Sequence, residues 1–348
     1  MPVRHLVSAA AAALLAATLA LTGCDRLIDG RAAVGSRNAD PAYFFAGDVA
    51  IYGQTVSDND KTALAYLRAL RRIDVCGLLN HDALAKVGEI LSVGTLFAFN
   101  ECDIDVKVSG AATRKFASVE LVMSSQPGNA VAFRIGDTPI YKNLPGGCEY
   151  LVPLQLARLP GAHPLHKPQQ PFVRVGLIAD NDCGTAQRIA AAVAEWLGKG
   201  PLPARDAAAV YPAPLAERDP CEVLAGLGGD VDRWDIGSSQ PHQCRFGLWM
   251  SGSGDVLSVQ VQLEPLLVDT ITVGRDRSER NGVEIYLDRR FCSAVSFVGP
   301  PMRRRIIGGG YVELPNSVVR PAVVVDGKGS TDCDAVADLT TRAAKLYG

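Results

Sequence analysis

Apolar positions along this chain change their period several times, and each change marks an element. Leu6 to Leu21 is an almost unbroken run of Ala, Leu and Val. From Ser57 onward Thr62, Leu64, Ala65, Leu67, Arg68, Leu70 and Arg71 follow a helical spacing. Cys102 to Val108 alternates with period two and Cys244 to Met250 begins a similar run, so each predicts a strand. Further strands are predicted over Ser118 to Met123, Ala130 to Ile135, Val256 to Leu263 and Val283 to Leu287. Phe172 to Ile178 and Ala322 to Val325 are mainly apolar, as buried strands are. A helical pattern follows each of them: Ala186, Ile189, Ala190, Val193, Trp196 and Leu197 after the first, then Ala335, Val336, Leu339, Ala343 and Leu346 after the second. Strands in the middle of each half, closed by an amphipathic helix, predict an α+β fold. It consists of two similar domains, each an antiparallel sheet with helices packed on one face.

The cysteines sharpen this duplication. Of nine, Cys24 stands alone and the rest form two sets of similar spacing: Cys76, Cys102, Cys148, Cys183, then Cys221, Cys244, Cys292, Cys333. Asp74 and Asp219 each lie two residues before the first cysteine of a set. At Asp219 the chemistry is explicit: an aspartate N-cap, Pro220 at the first helical position, and Glu222 three residues on to complete a capping box. The second cysteines open strands, the third lie in or beside strands, and Asp182-Cys183 and Asp332-Cys333 begin the closing helices. This layout favours two disulfides per domain, Cys76–Cys102 with Cys148–Cys183, and Cys221–Cys244 with Cys292–Cys333; sequence alone leaves other connectivities open. A bridge closing a loop of about 25 residues stabilises by roughly 3 kcal/mol in the chain-entropy account.

The first segment bears on compartment. Arg4 followed by the apolar run reads as a signal peptide over residues 1–23, too short for a comfortable membrane span. Thr22 and Gly23 before Cys24 resemble a bacterial lipobox, which makes Cys24 the expected lipid attachment site. The chain is then expected on the outer face of the cell membrane, where two or three acyl chains suffice as an anchor. Residues 24–56 form a tether in which Tyr43-Phe44-Phe45 and Val49 to Tyr52 offer segments that can dock. The first domain follows over 57–199, a Pro- and Ala-rich, partly flexible linker over 200–217, and the second domain over 218–348. Eight remaining cysteines suit an oxidising exterior.

Charge adds little. The formal net charge is -2, which points away from nucleic acid as a partner. CxxC spacing is absent, and the sequence leads to no metal, cofactor-binding or catalytic residues. His163 and His166 fall in a proline-rich stretch and read as a solvated loop. Asp103 and Asp105 share one face of their strand and are expected to face solvent, while Asp182 and Asp332 read as helix caps. The Gly308-Gly309-Gly310 run suits a turn between strands. Arg289-Arg290 and Arg303-Arg304-Arg305 are expected in solvated loops, with contact to anionic head groups as the other reading. Trp234, Trp249 and Phe246 are expected in the second core.

Asp74, Cys76, Leu78, Leu79, Cys102 and Asp182-Cys183 in one copy, with Asp219, Pro220, Cys221, Leu224, Cys244 and Asp332-Cys333 in the other, make the chain resemble the cysteine-framed extracytoplasmic domains of actinobacterial lipoproteins. Val75 stands where the second copy has proline. The resemblance covers nearly the whole chain beyond the leader and implies a disulfide scaffold without implying a chemistry. The function expected is non-catalytic: a cell-envelope lipoprotein, held to the membrane by its N-terminal lipid, binding a small ligand, an envelope component or an exported protein partner. Its alternatives are an envelope hydrolase whose active site assembles from distant segments, and a structural or regulatory partner of another exported protein.

Overall fold

The structure is a computed structural model that describes residues 40–348 except 80, 109–113, 126–130, 167–168, 179, 206–208, 251–253, 308, 313–317 and 329–331. Residues 1–23, Cys24 and the start of the tether lie outside the described residues. Among the described residues no helix is long and apolar enough to cross a membrane.

Two antiparallel sheets organise the chain. The first half supplies β1 (Gly88–Gly94), β2 (Glu101–Val108), β3 (Lys115–Ser125), β4 (Val131–Ile135), β5 (Thr138–Lys142), β6 (Tyr150–Pro153) and β7 (Gln169–Leu177). The second half supplies β8 (Val231–Trp234), β9 (Gln243–Trp249), β10 (Val256–Leu267), β11 (Asp276–Arg280), β12 (Val283–Asp288), β13 (Ser293–Phe297) and β16 (Val319–Lys328). In space they run β1-β2-β3-β7-β6-β5-β4 and β8-β9-β10-β16-β13-β12-β11, one order written twice. Between β13 and β16 the chain leaves its own sheet. There β14 (Arg304–Ile306) and β15 (Tyr311–Val312) form a hairpin, and β14 pairs with β1 through Ser92–Ile306 and Val93–Arg305. The first sheet is therefore nine-stranded and carries two strands from the second half. All described residues belong to one compact unit.

Helices cover one face of each sheet. Ser57 caps α1 (Asp58–Arg71) by accepting from the Asp60 N–H, and α2 (His81–Leu84) is a single turn. Across β6 and β7 lies α3 (Cys183–Lys199), whose Ala186, Ile189, Ala190 and Val193 pack on Val152, Val173 and Val175. In the second half the short α4 (Val268–Thr272) sets Ile271 against Tyr286, Val295, Ala322 and Val324, and on the opposite face α5 (Cys333–Tyr347) packs Val336, Leu339 and Ala343 against Val323, Val325 and Ile285. The approach is close: a Cβ on Gly327 of β16 would stand 2.5 Å from Val336 of α5, so the position admits only glycine without displacement. Asp182 and Asp332 cap α3 and α5 by accepting from the Thr185 and Ala335 N–H groups at 3.0 and 3.2 Å.

The cysteines pair as Cys76–Cys102, Cys148–Cys183, Cys221–Cys244 and Cys292–Cys333, with Cα separations of 5.1, 4.6, 5.1 and 4.8 Å. In each half one bridge ties a 3-10 turn to the second strand, and the other ties the start of the closing helix to the turn before a strand. The capping box at Asp219 and Glu222 is present, although the helix it opens, Pro220–Gly226, is 3-10.

One expectation changes and one, the docking of Tyr43-Phe44-Phe45, is met. The stretch 200–217 is no free linker: Ala204 bridges to Ile73, Arg205 is 2% exposed, and Val210, Tyr211, Ala213, Leu215 and Ala216 are buried. Upstream, Phe44 and Phe45 dock into the first core, and the Arg72 guanidinium holds the segment by donating to carbonyls of Tyr43 and Ala46.

Candidate functional site

Two clefts stand out by their chemistry. The first has a volume of about 590 Å³ and lies between the packed stretch 211–215 and the loop 298–303. Its walls are mainly rings, Pro212, Pro214, Pro300, Pro301 and Pro321 with Phe99, Tyr211, Tyr311 and Tyr347, and Arg218, Met302 and Arg303 join the lining. Local chemistry holds them still. The Tyr211 hydroxyl donates to the Arg303 carbonyl at 2.6 Å, and the Tyr347 hydroxyl donates to the Asp219 carbonyl at 2.8 Å. Burial pushes the Tyr211 phenol up to about 12 and raises that of Tyr347 too, so both stay protonated as donors. Arg218 lies over the Tyr347 ring at 5.2 Å and bonds the Glu222 carboxylate through two nitrogens. Gly299 is required by packing, because a Cβ there would meet Pro321 at 2.8 Å. Among the described residues the lining includes no carboxylate, imidazole or thiol. A preformed, largely apolar hollow of this size suits the body of a small organic molecule.

The second cleft, about 380 Å³, opens between the two sheets, on the faces turned away from the long closing helices. From the first sheet come Glu120 and Arg174, an ion pair made by cross-strand neighbours of β3 and β7. From the second come Gln243, Gln262 and Glu264, which share a face because β10 alternates Val261 and Leu263 inward with Gln262 and Glu264 outward. Asn100 donates to Glu120 at 3.1 Å and to the Leu121 carbonyl at 2.7 Å. A wider hollow of about 980 Å³ lies near the end of α3, where Lys86, Asp137, Arg158 and Glu195 are mixed around its rim.

Behind these clefts runs a buried polar layer. Arg71, at the end of α1, donates to the Pro241 carbonyl at 2.8 Å and to the Asp219 carboxylate at 2.7 Å, which links the halves. Arg205 donates to the carbonyls of Arg71 and Phe99 at 3.1 and 2.8 Å. Asp74 accepts from the Val210 N–H at 2.7 Å, and burial raises its carboxyl. His242 stands at 2.8 Å from the Ala216 carbonyl; burial, then the positive charge of Arg205, holds its imidazole well below the usual range.

Four of the expected placements are corrected here. Asp103 and Asp105 do not face solvent; both are buried, Asp103 beside the loop before β2 and Arg304 of β14, and Asp105 paired with Arg114 at 3.5 Å. Asp103 accepts from the Leu96 N–H at 2.9 Å, and burial pushes it up to about 6 against the pull of that bond and of Arg304. Its neighbour Glu101 is pushed up to about 7 by burial, then by the charges of Asp103 and Glu120. Arg303-Arg304-Arg305 is not a solvated loop: β14 begins at Arg304, which is buried, and Arg305 donates to the Val210 carbonyl. Arg289 and Arg290 are exposed but paired, with Asp276 and Asp334 and with Asp288. Trp249 is 46% exposed at the end of β9 and outside the core, whereas Phe246 is buried in it and Trp234 packs at its margin beside Tyr52.

His163 and His166 sit in an exposed loop. Gln262, Glu264 and Arg205 had no place in the sequence reading. The polar alternation Ser258, Gln260, Gln262, Glu264 was the signal available for the first two. Comparison of the chain with protein-family models, with curated proteins and with solved structures finds no match, so the reading of function stands on the clefts themselves.

Proposed function

We propose that this chain is a non-catalytic cell-envelope lipoprotein, anchored through Cys24 to the outer face of the membrane, that binds a small apolar ligand. Its two similar domains, 57–199 and 218–348, are joined by the stretch 200–217. The leader pattern, the resemblance to actinobacterial lipoprotein domains, the four disulfides and the repeated strand order support this identity. The observation that carries the binding role is the cleft of about 590 Å³ walled by prolines and aromatic rings. Proline rings lose almost no side-chain freedom on contact, so a ligand entering there orders little.

Two measurements test the reading. The neutral fluorophore N-phenyl-1-naphthylamine should bind the full chain one to one, and Pro214→Glu or Pro300→Glu, both at exposed positions, should weaken it about tenfold. Binding unaffected by either charge places the fluorophore elsewhere and refutes the cleft. Separately, Cys24→Ala should move the protein from the membrane fraction to the soluble one; retention at the membrane refutes the anchor.

A further inference from the structure

The polar cleft has a chemistry of its own, independent of the apolar one. Its amide row is held in place before any ligand arrives: Gln243 and Gln260 both donate to the Gln262 amide oxygen, at 3.3 and 2.6 Å, while the Gln262 amide nitrogen donates to Glu264 at 2.9 Å. With its oxygen and nitrogen engaged, Gln262 cannot turn over, and the donors and acceptors of its neighbours keep fixed directions. Asn100 is fixed likewise by Glu120 and the Leu121 carbonyl.

Charge in the cleft is balanced rather than accumulated. Arg174 offsets Glu120, and burial pushes Glu264 up to about 7, which leaves it largely uncharged in mild acid. In mild acid an ion would therefore find no net opposite charge among the lining side chains. Beside Glu120, on the same face of β3, lies Val122, apolar surface suited to a C–H face. One wall is His242, 95% buried, whose Nδ1 has no hydrogen-bond partner among the described residues. Alternating amides and carboxylates around small apolar patches are complementary to a molecule that carries many hydroxyl groups and no charge.

We propose that the cleft between the open faces of the two sheets binds a neutral saccharide, with the side chains of Asn100, Gln243, Gln262 and Glu264 as its hydroxyl partners. The cavity of about 380 Å³ fits one or two sugar rings and no longer chain without extension into solvent.

Maltose and cellobiose are the probes. They are titrated into the full chain, held in a detergent without a sugar head group, while the side-chain amide signals of Gln243 and Gln262 are followed by NMR. One or both sugars should shift these signals saturably in the millimolar range. Gln243→Ala and Gln243→Asn should each weaken binding about tenfold, the loss of one or two hydrogen bonds, with the thermal midpoint kept within a few degrees. Fluorophore binding in the apolar cleft should be unchanged in both variants, so failure of one site is distinguishable from failure of the other. Absence of any shift with either sugar, shifts indifferent to both substitutions, or tighter binding of glucose 6-phosphate than of the neutral sugars overturns the proposal.

Discussion

Arg71 is 5% exposed and charged, and its surroundings explain how that is sustained. Its guanidinium finds a carbonyl and a carboxylate on the other half, and that carboxylate, Asp219, also accepts from the Cys221 N–H. Asp219 keeps its Cys221 N–H without Arg71, so Arg71→Ala removes two charge-assisted hydrogen bonds and should cost about 2 kcal/mol in urea unfolding. A loss below a few tenths would show that the contact carries no stability. Glu264 gives a pH signature. Its pKa in the fold, about 7, lies above the ordinary 4.5, so between these values the folded chain holds a proton that the unfolded chain has released. Stability contributed by this group is full below about pH 4.5 and is lost as pH rises toward 7. Glu264→Gln should therefore shrink the difference between thermal midpoints at about pH 5 and about pH 7.5. An undiminished difference would assign the pH dependence to other groups.

At the scale of elements, caps and bridges set the joints. Asp332→Ala removes the acceptor for the Ala335 N–H at the start of α5 and should cost about 1 kcal/mol in denaturant unfolding, as Asp182→Ala should for α3. Replacement of both Cys76 and Cys102 by alanine opens a loop of 26 residues and should cost roughly 3 kcal/mol. A midpoint unmoved by the double substitution would show that β2 is held by packing alone. These joints were legible in the sequence because capping and the opening of a strand are decided within a few residues. Asp103 was misplaced because its surroundings include Arg304, far along the chain, and no local period announces that neighbour. Proline content likewise suggested looseness over 200–217, where buried Tyr211 and Arg205 make the stretch part of the packing. The polar rank on β10 was visible as alternation, but its meeting with Glu120 and Arg174 is a property of two sheets at once.

Across the whole molecule, the repeat in strand order and the repeat in cysteine spacing are one fact seen twice, and the polar cleft arises where the halves meet. The departure from symmetry, the hairpin β14–β15, matters for how the molecule is made. Because β14 pairs with the β1 edge, the first copy stays unfinished until the closing stretch of the polypeptide has been delivered. A chain halted near residue 217 would leave that edge bare, ready to recruit strands from its neighbours. The early copy thus depends on the late one, and a gene encoding the front portion alone is expected to yield clumped rather than dissolved product.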